Sequence, residues 1–203
     1  MKDSEKTYII LEALKKYFSS WGRERSNIIF PELRLGSGYC GVAQRRIDMF
    51  VINSGAGNVT TSFEIKVSKN DFKHETDLKQ RGARLYSNYF YYVTPKGLLN
   101  PKDIPIWAGL WELDIDEYNS KNIHFDEKVP APLHSKAMPS WGLIRSIVRH
   151  INKEIGLQHL RDTLEENNKL KVELNRMENL LGRIARKEDN PFLEFELQKY
   201  KNK

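Results

Sequence analysis

The sequence predicts an α/β domain, a mixed β-sheet flanked by helices, followed by a long helical extension. Three features of the chain predict it. Two apolar runs of strand length, from Arg46 to Asn53 and from Val59 to Val67, flank a Gly- and Asn-rich link, which is a hairpin signal. A helical stretch and a further strand, Tyr89 to Thr94, follow the hairpin, so that strand can return parallel to a hairpin strand through a helical crossover. Beyond Leu157, apolar residues recur at steps of four and three with charged or amide residues between them, the spacing of a coiled-coil seam.

Taken in order, Ser4 followed by Tyr8, Ile9, Leu11, Leu14, Tyr17 and Phe18 predicts an amphipathic helix ending near Ser19. Asn27 to Leu35 is expected to be extended, and Pro31 suits an edge strand, because it cannot donate to a ladder. The stretch from Gly36 to Gly41 is expected to be a turn. The first hairpin strand alternates Asp48, Phe50 and Ile52 against Ile47, Met49 and Val51, apolar on both faces apart from the aspartate. Ser68 or Asn70 can cap a short helix, and Thr76 a second one carrying Leu78, Ala83, Leu85 and Tyr86. Trp107 to Leu113 reads as another strand, with Asn122 to Phe125 a candidate partner for it. Val129 to His134 has the composition of a linker, and a helix is expected from Ser140.

In the extension, Leu170, Leu174, Met177, Leu181 and Ile184 form the seam, and Leu157, Leu160, Leu164 and Asn167 continue it upstream with a register slip. So narrow an apolar stripe is weakly stable alone, so the helix either folds back on the domain or pairs with a second copy; a homodimer is the preferred expectation. Phe192, Leu193 and Phe195 suffice for a short docking helix after Pro191. The predicted division is a domain over residues 1–155 and a helical extension over 156–203.

The chain has 203 residues, 30% of them charged, with a formal charge of +6. That length buries a sizeable core, and the charge permits a polyanionic partner without requiring one. Cys40 is the sole cysteine, which excludes a disulfide framework and a thiolate metal cluster. No apolar stretch approaches membrane-spanning length and the N-terminus is polar, so the expectation is a cytoplasmic protein without a membrane partner. The five histidines lack metal-ligand spacing, and neither a nucleophile elbow nor a phosphate-binding Gly-Lys-Ser/Thr loop is present.

The chemistry concentrates in the hairpin. If the link spans Asn53 to Asn58, antiparallel pairing brings Asp48 opposite or next to Glu64, with Cβ atoms about 5 Å apart. Two carboxylates that close repel one another, the more so as water is excluded. A divalent cation between them turns repulsion into attraction, and Lys66 projects from the same face as Glu64. The competing reading is a salt-bridge lattice joining both acids to Lys66, Arg45 and Arg46.

Asp48 followed by Glu64, Ile65 and Lys66 resembles the Asp…Glu-X-Lys signature of the PD-(D/E)XK nuclease superfamily. The run Phe63 to Phe72, then Tyr89 to Pro95, is similar to the MmcB-like DNA-repair branch and its phage and prophage relatives. The likeness covers roughly residues 29–155, and the family's Pro-Asp dipeptide is Ile47-Asp48 here. The resemblance implies a restriction-endonuclease-like core and phosphodiester hydrolysis on DNA, with Mg2+ or Mn2+ as cofactor. It implies metal ligation by Asp48, Glu64 and the Ile65 carbonyl, and a catalytic role for Lys66. Glu32 and Gln80 stand where related nucleases often carry an auxiliary acid and a helix glutamine; an exposed strand glutamate and a solvated helix face are the ordinary alternatives.

Lys69, Lys73, Lys79, Arg81 and Arg84 lie near this site in sequence and are candidate phosphate contacts. The aromatics from Tyr86 to Tyr92 could stack on bases, although aromatics alternating along a strand are more often core. A different functional class, a catalytically silent nuclease-fold adaptor acting through its coiled coil, stays open.

Overall fold

A computed structural model of the chain describes residues 1–20, 26–35, 46–116 and 123–187. The glycine-rich 36–41 stretch, Cys40, Arg45 and the segment after Asn190 fall outside these residues. The elements run α1 (Asp3–Ser19), β1 (Asn27–Arg34), β2 (Arg46–Asn53), β3 (Val59–Ile65), α2 (Lys69–Lys73), α3 (Asp77–Leu85), β4 (Tyr89–Pro95), β5 (Gly109–Leu113), β6 (Asp126–Val129) and α4 (Trp141–Lys187). The six strands form one mixed sheet in sequence order: β1, β2 and β3 are antiparallel neighbours, β4 and β5 continue parallel to β3, and β6 closes antiparallel to β5.

Local chemistry sets each element. The first helix begins one residue before Ser4, and Glu5 closes it by accepting from the Lys2 N–H at 2.9 Å. Pro31 lies on β1, an edge strand of the sheet, where its missing N–H costs little. The hairpin link contains a 3-10 turn over Ser54–Ala56, then Gly57 and Asn58 with φ of 68° and 61°. Glycine and asparagine are the residues that accept this left-handed backbone most readily. Ser68 is the cap of α2, accepting from the Asp71 N–H at 3.2 Å, and Thr76 caps α3 through the Lys79 N–H at 3.2 Å. Gly109 is required by packing, since a Cβ there would lie 2.4 Å from the Tyr91 ring. The sixth strand forms over Asp126–Val129, just after the stretch expected to pair with β5.

The alternation of β2, β3 and β4 sends side chains into two cores. On one face α1 buries Ile10, Ala13 and Leu14 against Met49, Val51, Phe63, Ile65 and Val93. On the other, Phe50, Phe90, Tyr92 and Leu110 pack with Ala83 of α3 and Leu143 at the start of α4. Asp48 and Glu64 belong to this second face by strand alternation.

The chain divides into two compact units, Met1–His150 and Ile151–Lys203, and α4 contributes to both. In the second unit Leu157, Leu160, Leu164, Leu170, Leu174, Met177 and Leu181 of the predicted seam are exposed. The side chain of Ile184 lies outside the described residues. No described helix is long and apolar enough to cross a membrane.

Candidate metal centre

Strand pairing between β2 and β3 ends at Met49 opposite Phe63, and one further step of the same register sets Asp48 opposite Glu64. There the Asp48 side chain takes over from the ladder: Oδ2 accepts the Ile65 N–H at 2.8 Å. This bond fixes the carboxylate against the main chain of β3. On the other side of β3, parallel pairing places Tyr92 beside Glu64 and Val93 beside Ile65, and the Lys66 N–H donates to the Val93 carbonyl at 3.0 Å.

Lys66 follows β3 directly and is 4% exposed, so its ammonium needs partners. It finds three carboxylates. Its Nζ lies 3.2 Å from Glu64 Oε1, 2.8 Å from Glu75 Oε1 and 3.5 Å from Asp71 Oδ2. Glu75 is held in turn by Gln80, which is 2% exposed and donates from Nε2 to Glu75 Oε2 at 2.5 Å. Asp48, Glu64, Lys66, Glu75 and Gln80 thus form a largely buried polar cluster reaching from β2 to α3.

The electrostatics follow from burial. Desolvation pushes the Asp48 carboxyl up, against the pull of the Ile65 N–H, Lys66 and Arg46. Desolvation, then the negative charge of Asp48, pushes Glu64 up to about 7 despite the adjacent ammonium. Burial works against the charge on Lys66, but Glu64, Glu75 and Asp71 outweigh it and hold its pKa above the ordinary lysine value. Asp48, Glu64, Glu75 and Asp71 surround one buried ammonium, that of Lys66, with the Arg46 charge also reaching Asp48, so the cluster is rich in acid.

Among the described residues no group of three or more His, Cys, Asp or Glu side chains is arranged to hold a metal ion. The donors available at the hairpin are two carboxylates and the main chain. Asp48 and Glu64 each commit one oxygen, to the Ile65 N–H and to Lys66, and the second oxygen of each has no protein partner among the described residues. Two acids that each keep an oxygen without a hydrogen bond among the described residues, in an acid-rich cluster, fit a hard divalent cation, and Mg2+ is typically held by one or two carboxylates with water and substrate phosphate completing its shell.

The remaining predicted residues differ in their surroundings. Gln80 is buried in the cluster rather than on a solvated helix face. Glu32 has a left-handed backbone, φ 54°, and its carboxylate pairs with Arg46 at 2.8 Å; the β1–β2 register aligns it with Asp48. Lys69, Lys73 and Arg81 are exposed on the helical segment after β3. Lys79 is also exposed but donates to the His74 carbonyl at 2.6 Å. Arg84 differs from the free phosphate contact expected of it: it pairs with Asp77 and lies 4.2 Å over the Trp107 ring. Of the strand aromatics, Phe90 and Tyr92 are core.

Glu75 and Asp71 were not legible as members of the site. Glu75 stands immediately before the Thr76 helix cap, an ordinary place for a solvated acid. The spacing of Gln80 three residues before Ala83, which places both on one α3 face, is the available hint that this face turns inward.

No family model matches this chain, and no curated protein matches it. Among solved structures, a protein of unknown function from Silicibacter pomeroyi is similar, with a TM-score of 0.54 and 17% sequence identity. The match covers 80% of this chain and 93% of that one. This likeness bears on the fold alone and agrees with an α/β sheet flanked by helices.

Proposed function

We propose that the chain is a metal-dependent nuclease that hydrolyses phosphodiester bonds in DNA, built on the PD-(D/E)XK plan and acting in repair or phage DNA metabolism. The observation that carries the reading is the meeting of Asp48, Glu64 and Lys66 at the end of the β2–β3 hairpin. The order of elements supports it: a helix, an antiparallel three-stranded meander, helices, and a strand parallel to the third.

Asp48, Glu64 and the Ile65 carbonyl would hold Mg2+ or Mn2+. When bound, such an ion supplies a Lewis acid for the scissile phosphate and lowers the pKa of a coordinated water. Asp48 arrives pre-oriented by the Ile65 N–H. Lys66 is kept charged and immobile by Glu75, so it can orient the attacking water or neutralise charge developing on the phosphate. Its 3.2 Å contact to Glu64 is the longer of its two hydrogen bonds and the one to exchange for substrate. Lys69, Lys73, Lys79 and Arg81 would meet flanking phosphates. The exposed seam of α4 would pair with a second copy of the chain, and the setting is cytoplasmic.

A second reading, a silent nuclease-fold adaptor, is favoured by one observation: Lys66 already has three acidic neighbours and can serve as a purely structural ion-pair hub. Linear, circular, single-stranded and branched DNA offered with Mn2+ to wild type and Glu64→Ala separates the two. The nuclease reading expects cleavage of at least one substrate by wild type and none by the variant. Equal cleavage by both, or none by either, overturns it.

A further inference from the structure

We propose that the cleft beside the metal centre receives one unpaired nucleobase, which makes single-stranded or locally opened DNA the substrate class. The proposal rests on the nuclease reading for where the phosphate lies, and on the cleft alone for what it binds.

The cleft lies between α2, the start of α3 and the β4–β5 connection. Its volume is about 680 Å3, within the roughly 300–1,000 Å3 usual for pockets that take small organic groups. Phe72, Tyr92, Leu99 and Trp107 line it, and Lys69 and Lys73 are among its basic residues. The rings are already locked. Phe72 meets Tyr92 edge to face at 5.1 Å between centroids, and Trp107 packs on Phe90 at 5.3 Å. The Arg84 guanidinium sits 4.2 Å over Trp107. Phe72 and Trp107, partly exposed and fixed against the buried Tyr92 and Phe90, lose little freedom when a planar base stacks on them.

The cleft and the metal centre share two residues. Glu75 both lines it and holds Lys66, and Tyr92 both lines it and pairs with Glu64 in register. A strand whose phosphate met Asp48 and Glu64 would therefore present a neighbouring base at its mouth.

Polarity sorts the parts of a nucleotide. Glu75, Asp77 and Asp103 line the cleft and disfavour a phosphate inside it. Glu75 is engaged by Lys66 and Gln80, and Asp77 by Arg84, whereas Asp103 makes no side-chain hydrogen bond or ion pair among the described residues. Asp103 is thus an acceptor for the amino or imino hydrogens of a base. Lys69 and Lys73, exposed and without ion pairs among the described residues, suit the backbone phosphates outside. A base inside an intact duplex is stacked on both sides and paired, and cannot enter; a base from a single strand, a frayed end or a flipped position can.

The test uses the full chain in EDTA, so that binding is read without cleavage. The probe is a single-stranded oligonucleotide carrying 2-aminopurine, whose fluorescence changes on stacking. The expected result is a saturable fluorescence change with wild type. Phe72→Ala and Trp107→Ala should weaken it roughly ten- to hundredfold. Lys73→Glu, on an exposed helix face where folding is not at risk, should weaken it with a shallower salt dependence. Equal affinity across wild type, Phe72→Ala and Lys73→Glu overturns the proposal, as does no response to the single strand. Base-dependent binding by a wild type that never cleaves would overturn the nuclease reading and leave the cleft standing; cleavage indifferent to Phe72→Ala and Lys73→Glu would do the reverse.

Discussion

Replacing Glu64 by glutamine should make the metal-free protein more stable at alkaline pH, although it removes a charge that lies 3.2 Å from a buried lysine. Burial and the facing Asp48 carboxylate raise Glu64 from 4.5 to about 7 with the attraction of Lys66 already included. Between those values the folded protein keeps a proton that the unfolded chain has released, so stability falls as pH rises through that window and levels off above it. A shift of that size corresponds to about 3 kcal/mol; water penetration and relaxation around the half-open pair reduce the expectation to roughly 1–3 kcal/mol, or about 3–8 °C in melting temperature. Glutamine has no proton to lose and its side-chain oxygen can still accept from Lys66, which also keeps Glu75 and Asp71. Unfolding of both proteins in EDTA at pH 5 and pH 8, followed by tryptophan fluorescence, measures the effect. Near-equal stability at pH 5 and a gain for Glu64→Gln at pH 8 are expected. With Mg2+ at ten times its dissociation constant, wild type should gain about 1.4 kcal/mol and the variant none. A variant less stable than wild type at pH 8, or a difference that does not grow with pH, would refute the reasoning.

Asp48→Asn removes the charge facing Glu64 and should bring the Glu64 titration down toward 4.5, seen in the side-chain carboxyl 13C signal; an unmoved titration would mean that the two acids do not interact. Glu75→Ala deprives Lys66 of its nearest partner and Gln80 of its acceptor, at an expected cost of about 2–4 kcal/mol in urea unfolding, with Glu75→Gln costing less. Phe63→Ala, 1% exposed and ringed by Phe18, Tyr91 and Trp111, should cost about 3–5 kcal/mol. At limiting Mn2+, DNA cleavage should rise through about pH 7 as Glu64 loses its proton, about tenfold per pH unit on the acid side; a flat profile would contradict ligation by Glu64.

The hairpin was readable because its signals are local. Alternation along β2 and β3 fixes which side chains share a face, and Gly57 with Asn58 supplies a left-handed turn, so the pairing of Asp48 with Glu64 follows from short-range chemistry. The parallel return of β4 was legible for the same reason, since caps at Ser68 and Thr76 mark two helices between the strands. What the sequence hid is long-range. Whether an acid before a helix cap faces water or a buried lysine depends on how α2 and α3 lie on the sheet, so Glu75 read like any surface glutamate. Arg84 looked like a phosphate contact until tertiary packing brought Trp107 beneath it.

Titration of the full chain with Mn2+ at pH 8, read by calorimetry or by loss of the free-ion electron paramagnetic resonance signal, tests the metal centre most directly. One bound ion is expected in wild type, with affinity lowered more than tenfold in Asp48→Asn and in Glu64→Gln. Wild type that binds no Mn2+ at millimolar concentration, or variants that bind it equally well, would contradict the assignment of these carboxylates to a catalytic cation.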